Sequence, residues 1–290
     1  MRIGELIKKA DKPFFSLEFF PPGRAELLPG FYETVAQLGK LKPLFISVTY
    51  GAGGAKQQNT LAVTSELAGR GFNVMAHLTC VGAEAGTIRA FLADLVKNGV
   101  DNVLALRGDP PKDSDWDWSQ GEFRHAEDLV RFARRAYPQL GIGVAAYPAP
   151  HPESGSFEAD RRHTAQKLAA GADFAVTQLF FDPREYSELL RSLAVRGIDL
   201  PVIPGILPIQ SLESLNRVLS LCGANIPGKL YLDLMAANER GGPEAVREAG
   251  FAFALAQIRQ LLDRGAPGIH LYTLNKSGLC ARLVTEAGLA

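Results

Sequence analysis

The sequence is poor in cysteine and has no excess of charge of either sign. Its three cysteines, Cys80, Cys222 and Cys280, are odd in number and far apart. This favours reduced thiols packed in the core of an intracellular protein over a disulfide framework or a thiolate metal site. Lysine plus arginine and aspartate plus glutamate number 31 each, without a long basic run, so nucleic acid and anionic membranes are not indicated as partners. We expect a small or neutral partner.

Long hydrophobic runs are also missing. The N-terminal stretch MRIGELIKKADKP is charged throughout and lacks the apolar core of a signal peptide, and no later run has the length needed to span a bilayer. The composition, with 47% hydrophobic and 21% charged residues, is typical of a soluble globular protein with a sizeable core. We therefore expect a cytoplasmic protein with a single catalytic domain over residues 1–290.

Short β-rich runs alternate with amphipathic stretches along the whole chain. Stretches such as TIRAFLADLVKNG and AEDLVRFARRAY have helical periodicity, and several of them end at glycine. The alternation predicts an α/β fold, a (β/α)₈ TIM barrel. Before the last strand, KLYLDLMAANERGGPEAVREAGFAFALAQIRQLLDRG is long enough for two helices instead of one. The eight predicted strands are FFSLEFF, LFISVTYG, NVMAHLTC, NVLALRGD, IGVAAYP, FAVTQLFFD, LPVIPGILP and GIHLYTLN.

Polar residues occur at alternate positions near the carboxyl ends of these strands, where barrel enzymes place their chemistry. In the first strand Phe15, Leu17 and Phe19 share the face toward the helices, whereas Ser16 and Glu18 point into the barrel. A purely structural barrel fills its interior with branched apolar side chains, so a polar ring indicates a ligand site. The other inward positions are Ser47, Thr49, His77, Thr79, Arg107, Asp109, Tyr147, His270 and Tyr272.

The ring residues also have structural interpretations. Glu18 could form an internal ion pair with Arg107, and His77 and His270 could be satisfied core histidines. We favour function for Glu18, because carboxylates with perturbed pKa values collect at active sites. A zinc site at His77 and Cys80 is not expected, since residues three apart on a strand face opposite sides.

Two further segments leave alternatives open. The helix DRRHTAQK, residues 160–167, is either a solvated face or, because it follows strand five, a source of ligand contacts through Asp160 and Lys167. The acidic and aromatic run PKDSDWDWSQGEF after strand four is either a solvated connection or a lid.

The strand ends, taken together, resemble the catalytic barrel of the methylenetetrahydrofolate reductase family. The matching stretches are FSLEFFPP, SVTYGAGG, AHLTC, LRGDPP, AAYPAPHPES, TQLFFD, PGILPI and HLYTLN, in the family's order and spacing and from end to end of the chain. The resemblance is to the short bacterial form, without a regulatory extension. It implies an oxidoreductase that passes hydride from NADH or NADPH through FAD to 5,10-methylenetetrahydrofolate, giving 5-methyltetrahydrofolate for methionine synthesis. It also implies a homo-oligomer, with a dimer favoured.

The resemblance implies roles for individual substrate-side residues. Glu18 resembles the general acid that helps to open the five-membered ring of the folate. Its setting beside Phe15, Phe19 and Phe20 is expected to raise its pKa, so that part of it stays protonated near neutral pH. Asp109, the second catalytic candidate, places negative charge near the flavin. Asp109 and Gln178 also match the residues that hold the pterin edge of the substrate.

The resemblance also implies the cofactor site. No G-x-G-x-x-G fingerprint follows a strand, which is consistent with FAD held at the barrel mouth instead of in a Rossmann fold. Arg107 and Lys167 suit the anionic parts of FAD. The positions that match FAD contacts are Thr49, His77, Leu106, Arg107, Asp109, Tyr147, His151, Asp160, Lys167 and Tyr272.

Four positions depart from the family pattern. Val218 replaces an aromatic residue that packs against the shared nicotinamide and folate position. His163 and Gln166 replace an asparagine and an arginine that touch FAD, and His125 replaces a tyrosine. We expect the last three changes to lower flavin affinity or to alter how the diphosphate is held, and the Val218 change to remove the stacking contact at the nicotinamide and folate position.

The electron donor stays open among NADH, NADPH and a protein. Two other functions also remain open: a folate-binding barrel without redox activity that serves as a methyl-transfer partner, and a flavin electron-transfer subunit that has lost its folate site. The presence of Glu18, Asp109 and Gln178 together argues against the second.

Overall fold

The computed structural model of the protein is a barrel of parallel strands surrounded by helices. It describes residues 1–50, 54–109, 117, 121–149, 151 and 153–290, with the side chains of residues 54–58 and 221 left out of the description. Most of PKDSDWDWSQGEF lies outside the described residues, so its interpretation as a lid stays a prediction. Within the described residues, no helix combines the length and the apolar character that crossing a bilayer requires.

Strands and helices alternate along the chain as predicted. The strands are β1 (Phe14–Phe19), β2 (Ile46–Val48), β3 (Val74–Thr79), β4 (Asn102–Leu106), β5 (Gly141–Ala146), β6 (Phe174–Thr177), β7 (Val202–Ile203), β8 (Gly205–Ile206) and β9 (Gly268–Tyr272). The helices are α1 (Ile3–Lys9), α2 (Leu28–Gly39), α3 (Gly54–Gly69), α4 (Ala85–Lys97), α5 (Ala126–Ala136), α6 (Phe157–Ala169), α7 (Pro183–Val195), α8 (Leu212–Cys222), α9 (Gly228–Asp263) and α10 (Gly278–Glu286).

The strand order β7-β6-β5-β4-β3-β2-β1-β9-β8 confirms the predicted TIM-like barrel. The seventh predicted strand is split at Pro204, so that β7 pairs with β6 and β8 pairs with β9. Because proline has no N–H group, it cannot donate to a ladder, and the run changes neighbours there. The carbonyl of Pro204 accepts from the His270 N–H at 2.9 Å, and the chain that runs from β7 through Pro204 to β8 connects the two ends of the strand order.

The two helices predicted before the last strand are present as α9. Its helical backbone is interrupted at Gly241 and Gly242, where φ is −152° and 63°, and Pro243 follows directly. Only glycine takes a positive φ without strain, and proline restarts a helix well because it needs no N–H partner there. The GGP sequence therefore divides α9 into two arms.

The apolar core forms three clusters, of which the third joins α8 and α9 to the segments that follow β6 and β8. Outward-facing residues, including Phe15, Leu17 and Phe19, pack against the helices as predicted. Helix α1 supplies Ile3 and Ile7 to a second cluster, which fills the amino end of the barrel together with Phe14, Phe45, Met75, Leu104, Phe174, Val176 and Ile203. Of the three free thiols, Cys80 and Cys280 are buried in the core and Cys222 is half-buried.

Candidate functional site

Glu18 lies near the carboxyl end of β1, between two histidines from other strands. His77 on β3 and His270 on β9 place their Nε2 atoms 3.4 and 3.5 Å from the same oxygen, Oε2 of Glu18. The parallel register sets Glu18 opposite Ser47 on β2 and Tyr272 on β9. The side chain of Glu18 remains 18% exposed, against 7% and 1% for the two histidines, so a ligand at the mouth meets the carboxylate first.

Two contacts other than the one with Glu18 hold the ring of His270 in place. Its Nδ1 lies 2.8 Å from the hydroxyl of Ser16, and its ring stacks on Phe45 with centroids 5.8 Å apart. Among the described residues, the Nε2 atoms of His77 and His270 are buried and have no hydrogen bond. A satisfied core histidine has partners at both ring nitrogens, so this pair fits proton exchange with Glu18 better than packing alone.

The pKa of Glu18 shifts in the direction opposite to the sequence-based expectation. Burial raises the pKa, but the polar contacts with His270 and Ser47 and the charges that His77 and His270 can carry outweigh it, so the pKa lies below its ordinary 4.5. The expectation was wrong because the rings of Phe15 and Phe19 point away from the carboxylate into the outer core, while Phe20 is exposed.

His77 is uncharged near neutral pH. Burial lowers its pKa below the ordinary 6.5, an effect that the charge of Glu18 partly offsets. An ionised carboxylate therefore lies beside an uncharged imidazole, and a proton entering the cluster has both as possible acceptors.

A second group forms where β5 meets α6. The Nζ of Lys167 donates to the Ala145 carbonyl at 2.5 Å and lies 5.8 Å from the centroid of the Tyr147 ring. Burial lowers the pKa of Lys167 to about 8, and the nearby charge of Asp160 only partly opposes this. The ring of His151 packs edge-on against Tyr147, with centroids 4.8 Å apart.

Asp160 is an unusual carboxylate in this group. It is 5% exposed, and its Oδ2 has no hydrogen bond among the described residues. Burial raises its pKa, while Lys167 lowers it. The interpretation of this helix as a solvated face is therefore wrong for Asp160. Burial, followed by the charges of Asp160 and Asp109, raises the pKa of Tyr147 to about 12, so Tyr147 stays a neutral hydrogen-bonding phenol.

Arg161, which was not among the predicted site residues, holds the loop after β5. Its guanidinium is buried and donates to the carbonyls of Tyr147 and Pro148, the second at 2.5 Å. A signal was available, because Arg161 shares a helical face with the apolar Ala165 and Leu168 at spacings of four and seven.

Arg107 and Asp109 follow β4 at the same end of the barrel. The guanidinium of Arg107 forms an ion pair with the carboxylate of Glu153, in the loop after β5, at 2.7 Å. The basic groups that contact Glu18 are the two histidines. Asp109 is exposed, and its charge acts on Tyr147. Both residues therefore lie near the second group and border the mouth.

Tyr272 connects the two groups. Its hydroxyl donates to the Thr177 carbonyl at 2.6 Å, and the Thr177 hydroxyl accepts from the Gly205 N–H at 2.9 Å. Burial raises the pKa of Tyr272 well above its ordinary 10.0, and the charge of Glu18, followed by the charge that Tyr147 would carry if it ionised, raises it further. Tyr272 is thus within electrostatic reach of both groups.

The remaining predicted residues also lie at this end of the barrel. Thr49 directly follows β2, Leu106 ends β4 and Gln178 directly follows β6. The carbonyl of Thr49 accepts from the Thr60 hydroxyl at 3.1 Å, and the side-chain oxygen of Gln178 accepts from the Leu179 N–H at 2.9 Å. The structure thus gathers the predicted residues around one mouth, and their ligand contacts stay predictions.

Two of the four departures from the family pattern are neighbours. The exposed rings of His125 and His163 stack with centroids 6.3 Å apart and planes 20° apart. Val218 belongs to the apolar cluster that also contains Tyr272, and Gln166 is exposed. The histidine pair is therefore a single changed surface between α5 and α6.

Comparisons with known proteins agree with the motifs. The sequence model of the methylenetetrahydrofolate reductase family matches residues 2–288. The 5,10-methylenetetrahydrofolate reductase of Salmonella typhimurium is 33% identical over 279 residues, which cover 94% of this chain and 92% of that protein. Methylenetetrahydrofolate reductase 1 of Schizosaccharomyces pombe is 33% identical over 283 residues, or 96% of this chain and 46% of that one. The chain thus spans about half the length of this eukaryotic relative.

A solved structure from Clostridium thermocellum has the same fold. Its TM-score is 0.68 at 13% identity, and the match covers 99% of this chain and 98% of that one. That protein is described as binding two copies of 5-methyl-5,6,7,8-tetrahydrofolic acid. At this identity the likeness concerns the fold alone.

Proposed function

The chain belongs to the methylenetetrahydrofolate reductase family, and on that basis we propose that it reduces 5,10-methylenetetrahydrofolate to 5-methyltetrahydrofolate with electrons from NADH or NADPH through bound FAD. The observation that carries the proposal is the carboxylate of Glu18, reachable from the mouth and contacted at one oxygen by two buried imidazoles. A barrel without chemistry has little use for such a cluster, because burying charged and polar groups is unfavourable.

The second group fits the anionic and polar parts of FAD. It contains the buried Lys167 with its lowered pKa, the buried Asp160 and the neutral Tyr147. Among the described residues, Oδ2 of Asp160 has no hydrogen-bond partner, so a polar ligand could supply one. Lys167 and Arg107 would hold the anionic parts of FAD. Asp160 would accept a hydrogen bond from the sugar or ring of FAD, and Tyr147 would donate one to it. The chemistry that FAD supplies when bound is hydride transfer from the nicotinamide to the folate.

Glu18 would hold the proton that the folate requires. Its Oε2 lies within 3.5 Å of two imidazole nitrogens, so one proton can move among the carboxylate and the rings. A ligand that covers the mouth excludes water and raises the pKa of the carboxyl group, which favours protonation of Oε2. Asp109 and Gln178 would bind the pterin edge, the carboxylate as an acceptor and the amide as both donor and acceptor.

An anaerobic experiment tests the proposal. The FAD-loaded protein is mixed with NADH or NADPH, and the flavin absorbance near 450 nm reports its reduction. Methylenetetrahydrofolate is then added, and we expect the absorbance to return while 5-methyltetrahydrofolate forms. Formation of that product in step with flavin reoxidation supports the proposal.

Two outcomes would replace the proposal with another function. A colourless protein that takes up no added FAD would indicate a folate-binding barrel without redox activity. A flavin that is reduced but is not reoxidised by the folate would indicate an electron-transfer subunit. The cytoplasmic location, the link to methionine synthesis and the homo-oligomer stay predictions, and a solution mass measurement tests the last.

A further inference from the structure

The segment after β9 has an unusual backbone. Leu274 and Asn275 both have a positive φ, 49° and 56°, although neither is glycine. Bulky residues such as leucine rarely adopt this region, and a segment that does so persists only where surrounding contacts hold it. These two residues directly follow Thr273, at the mouth end of the barrel.

The contacts that hold this segment bind it to the end of β1. The side-chain oxygen of Asn275 accepts from the Phe20 N–H at 3.1 Å, and its amide nitrogen donates to the Phe20 carbonyl at 2.8 Å. The hydroxyl of the fully buried Thr273 donates to the Glu18 carbonyl at 2.6 Å and accepts from the Asn275 N–H at 3.0 Å. A side-chain amide carries the same donor and acceptor as a peptide group, so Asn275 extends the β1–β9 ladder past Phe19.

We propose that Asn275 is a positioning residue for Glu18: its amide fixes the backbone that follows Glu18, and so keeps the carboxylate between His77 and His270. This role rests on the proposed function, because only a proton donor needs such placement. Two contacts of 3.4 and 3.5 Å to one oxygen leave little room for displacement, and a shift of about 1 Å in an active site can reduce a rate by about 10²-fold.

The surroundings of Glu18 provide a readout that a merely structural turn would not change. The titratable and polar groups facing Glu18 are His77 on β3, His270 and Tyr272 on β9, and Ser47 on β2. The negative charge of Glu18 raises the pKa of His77 against the effect of burial. If Glu18 moves away, the pKa of His77 falls further. The chain has five histidines, so the imidazole signals can be assigned by NMR.

The main variant is Asn275→Gly. Glycine adopts a positive φ readily, so this change removes the side-chain amide without adding backbone strain. Asn275→Asp is a second variant, which keeps an acceptor for the Phe20 N–H but sets a carboxylate oxygen against the Phe20 carbonyl in place of the donor. Ser277→Ala is the matched control in the same loop, because it removes a hydrogen bond to Gln37 that does not involve β1.

In Asn275→Gly we expect a lower His77 pKa and a fall of tenfold or more in flavin reoxidation by methylenetetrahydrofolate, with flavin reduction by the nicotinamide nucleotide within about threefold of wild type. Asn275→Asp should also slow reoxidation while flavin reduction stays near wild type, and Ser277→Ala should match wild type. A folded Asn275→Gly with an unchanged His77 titration and unchanged reoxidation overturns the positioning role. If that variant does not fold, the reoxidation rate of Asn275→Asp decides, and an unchanged rate overturns the positioning role. A wild-type flavin that the folate never reoxidises refutes the proposed function, and the His77 titration still tests the positioning.

Discussion

Oε2 of Glu18 and Nε2 of His77 lie 3.4 Å apart at the mouth of the barrel, one on β1 and the other on β3. The pKa of each group is lowered, so near neutral pH the carboxylate is charged and the imidazole is not. The charge of each residue changes the pKa of the other. The electrostatic coupling between Glu18 and His77 can therefore be measured by pH titration as well as by enzyme activity.

The first prediction concerns the stability of the protein between pH 7 and pH 5. A histidine whose folded pKa is depressed adds stability above its unfolded pKa of about 6.5, and this stability is lost as the pH falls toward the folded value. Wild-type protein should therefore lose free energy of unfolding below pH 6.5, and His77→Gln should lose less. Chemical denaturation at several pH values measures both.

His163→Gln is the control for this prediction, because His163 is exposed. Its stability profile should follow that of wild type across the same pH range. If His77→Gln instead declines as steeply as wild type, the buried imidazole does not contribute the expected proton linkage.

The second prediction concerns FAD binding above neutral pH. Lys167 has a pKa of about 8 in the structure, so it loses its charge as the pH rises from 7 to 9. An anionic ligand favours the protonated lysine, and affinity should therefore fall as the pH passes about 8, approaching about tenfold per pH unit above it. Titration of the protein with FAD, followed by flavin fluorescence, gives the dissociation constant at each pH.

Lys167→Met removes the titrating group and should bind FAD more weakly at pH 7, with a flatter pH profile. Lys97→Met, in the exposed last turn of α4, should behave as wild type does. A profile that stays equally steep in Lys167→Met would assign the pH dependence to another group.

The third prediction concerns barrel closure at Gly205. A Cβ at this position would lie 2.4 Å from the Thr177 carbonyl oxygen and 2.7 Å from the ring of Tyr272, so Gly205→Ala must move the strand or the ring. Overpacking of this kind destabilises by about 1–3 kcal/mol. In α4, Gly86 has open space at its Cβ position, and Gly86→Ala should be neutral or stabilising by up to about 1 kcal/mol. Equal free energies of unfolding for the two variants would contradict this account.

Much of the fold was predictable because periodicity and strand direction are local properties. The alternation at Phe15, Ser16, Leu17 and Glu18 correctly assigned two residues to the outer core and two to the barrel interior. The split of the seventh strand was not predicted, although Pro204 marks it, since a strand's change of neighbour depends on how the whole barrel closes.

The properties of the site were less predictable where they depend on contacts between residues far apart in the sequence. The sequence indicated that Glu18 faces inward, but the direction of its pKa depended on His77 and His270, which are 59 and 252 positions away and meet it only in the fold. The hydrogen bonds between Asn275 and Phe20 likewise join distant segments, so no local sequence pattern predicts them.

We propose that Glu18 supplies a proton to the folate and takes no part in hydride transfer from the nicotinamide. Glu18→Gln keeps the shape of the side chain and removes the proton, so the two half-reactions should separate. Rapid-mixing kinetics on the variant, after its FAD content is checked, should show flavin reduction within about tenfold of wild type and reoxidation by methylenetetrahydrofolate reduced by about 10²-fold or more. Equal losses in both half-reactions, together with weaker FAD binding, would instead identify Glu18 as a structural partner of the buried histidines and contradict the claim.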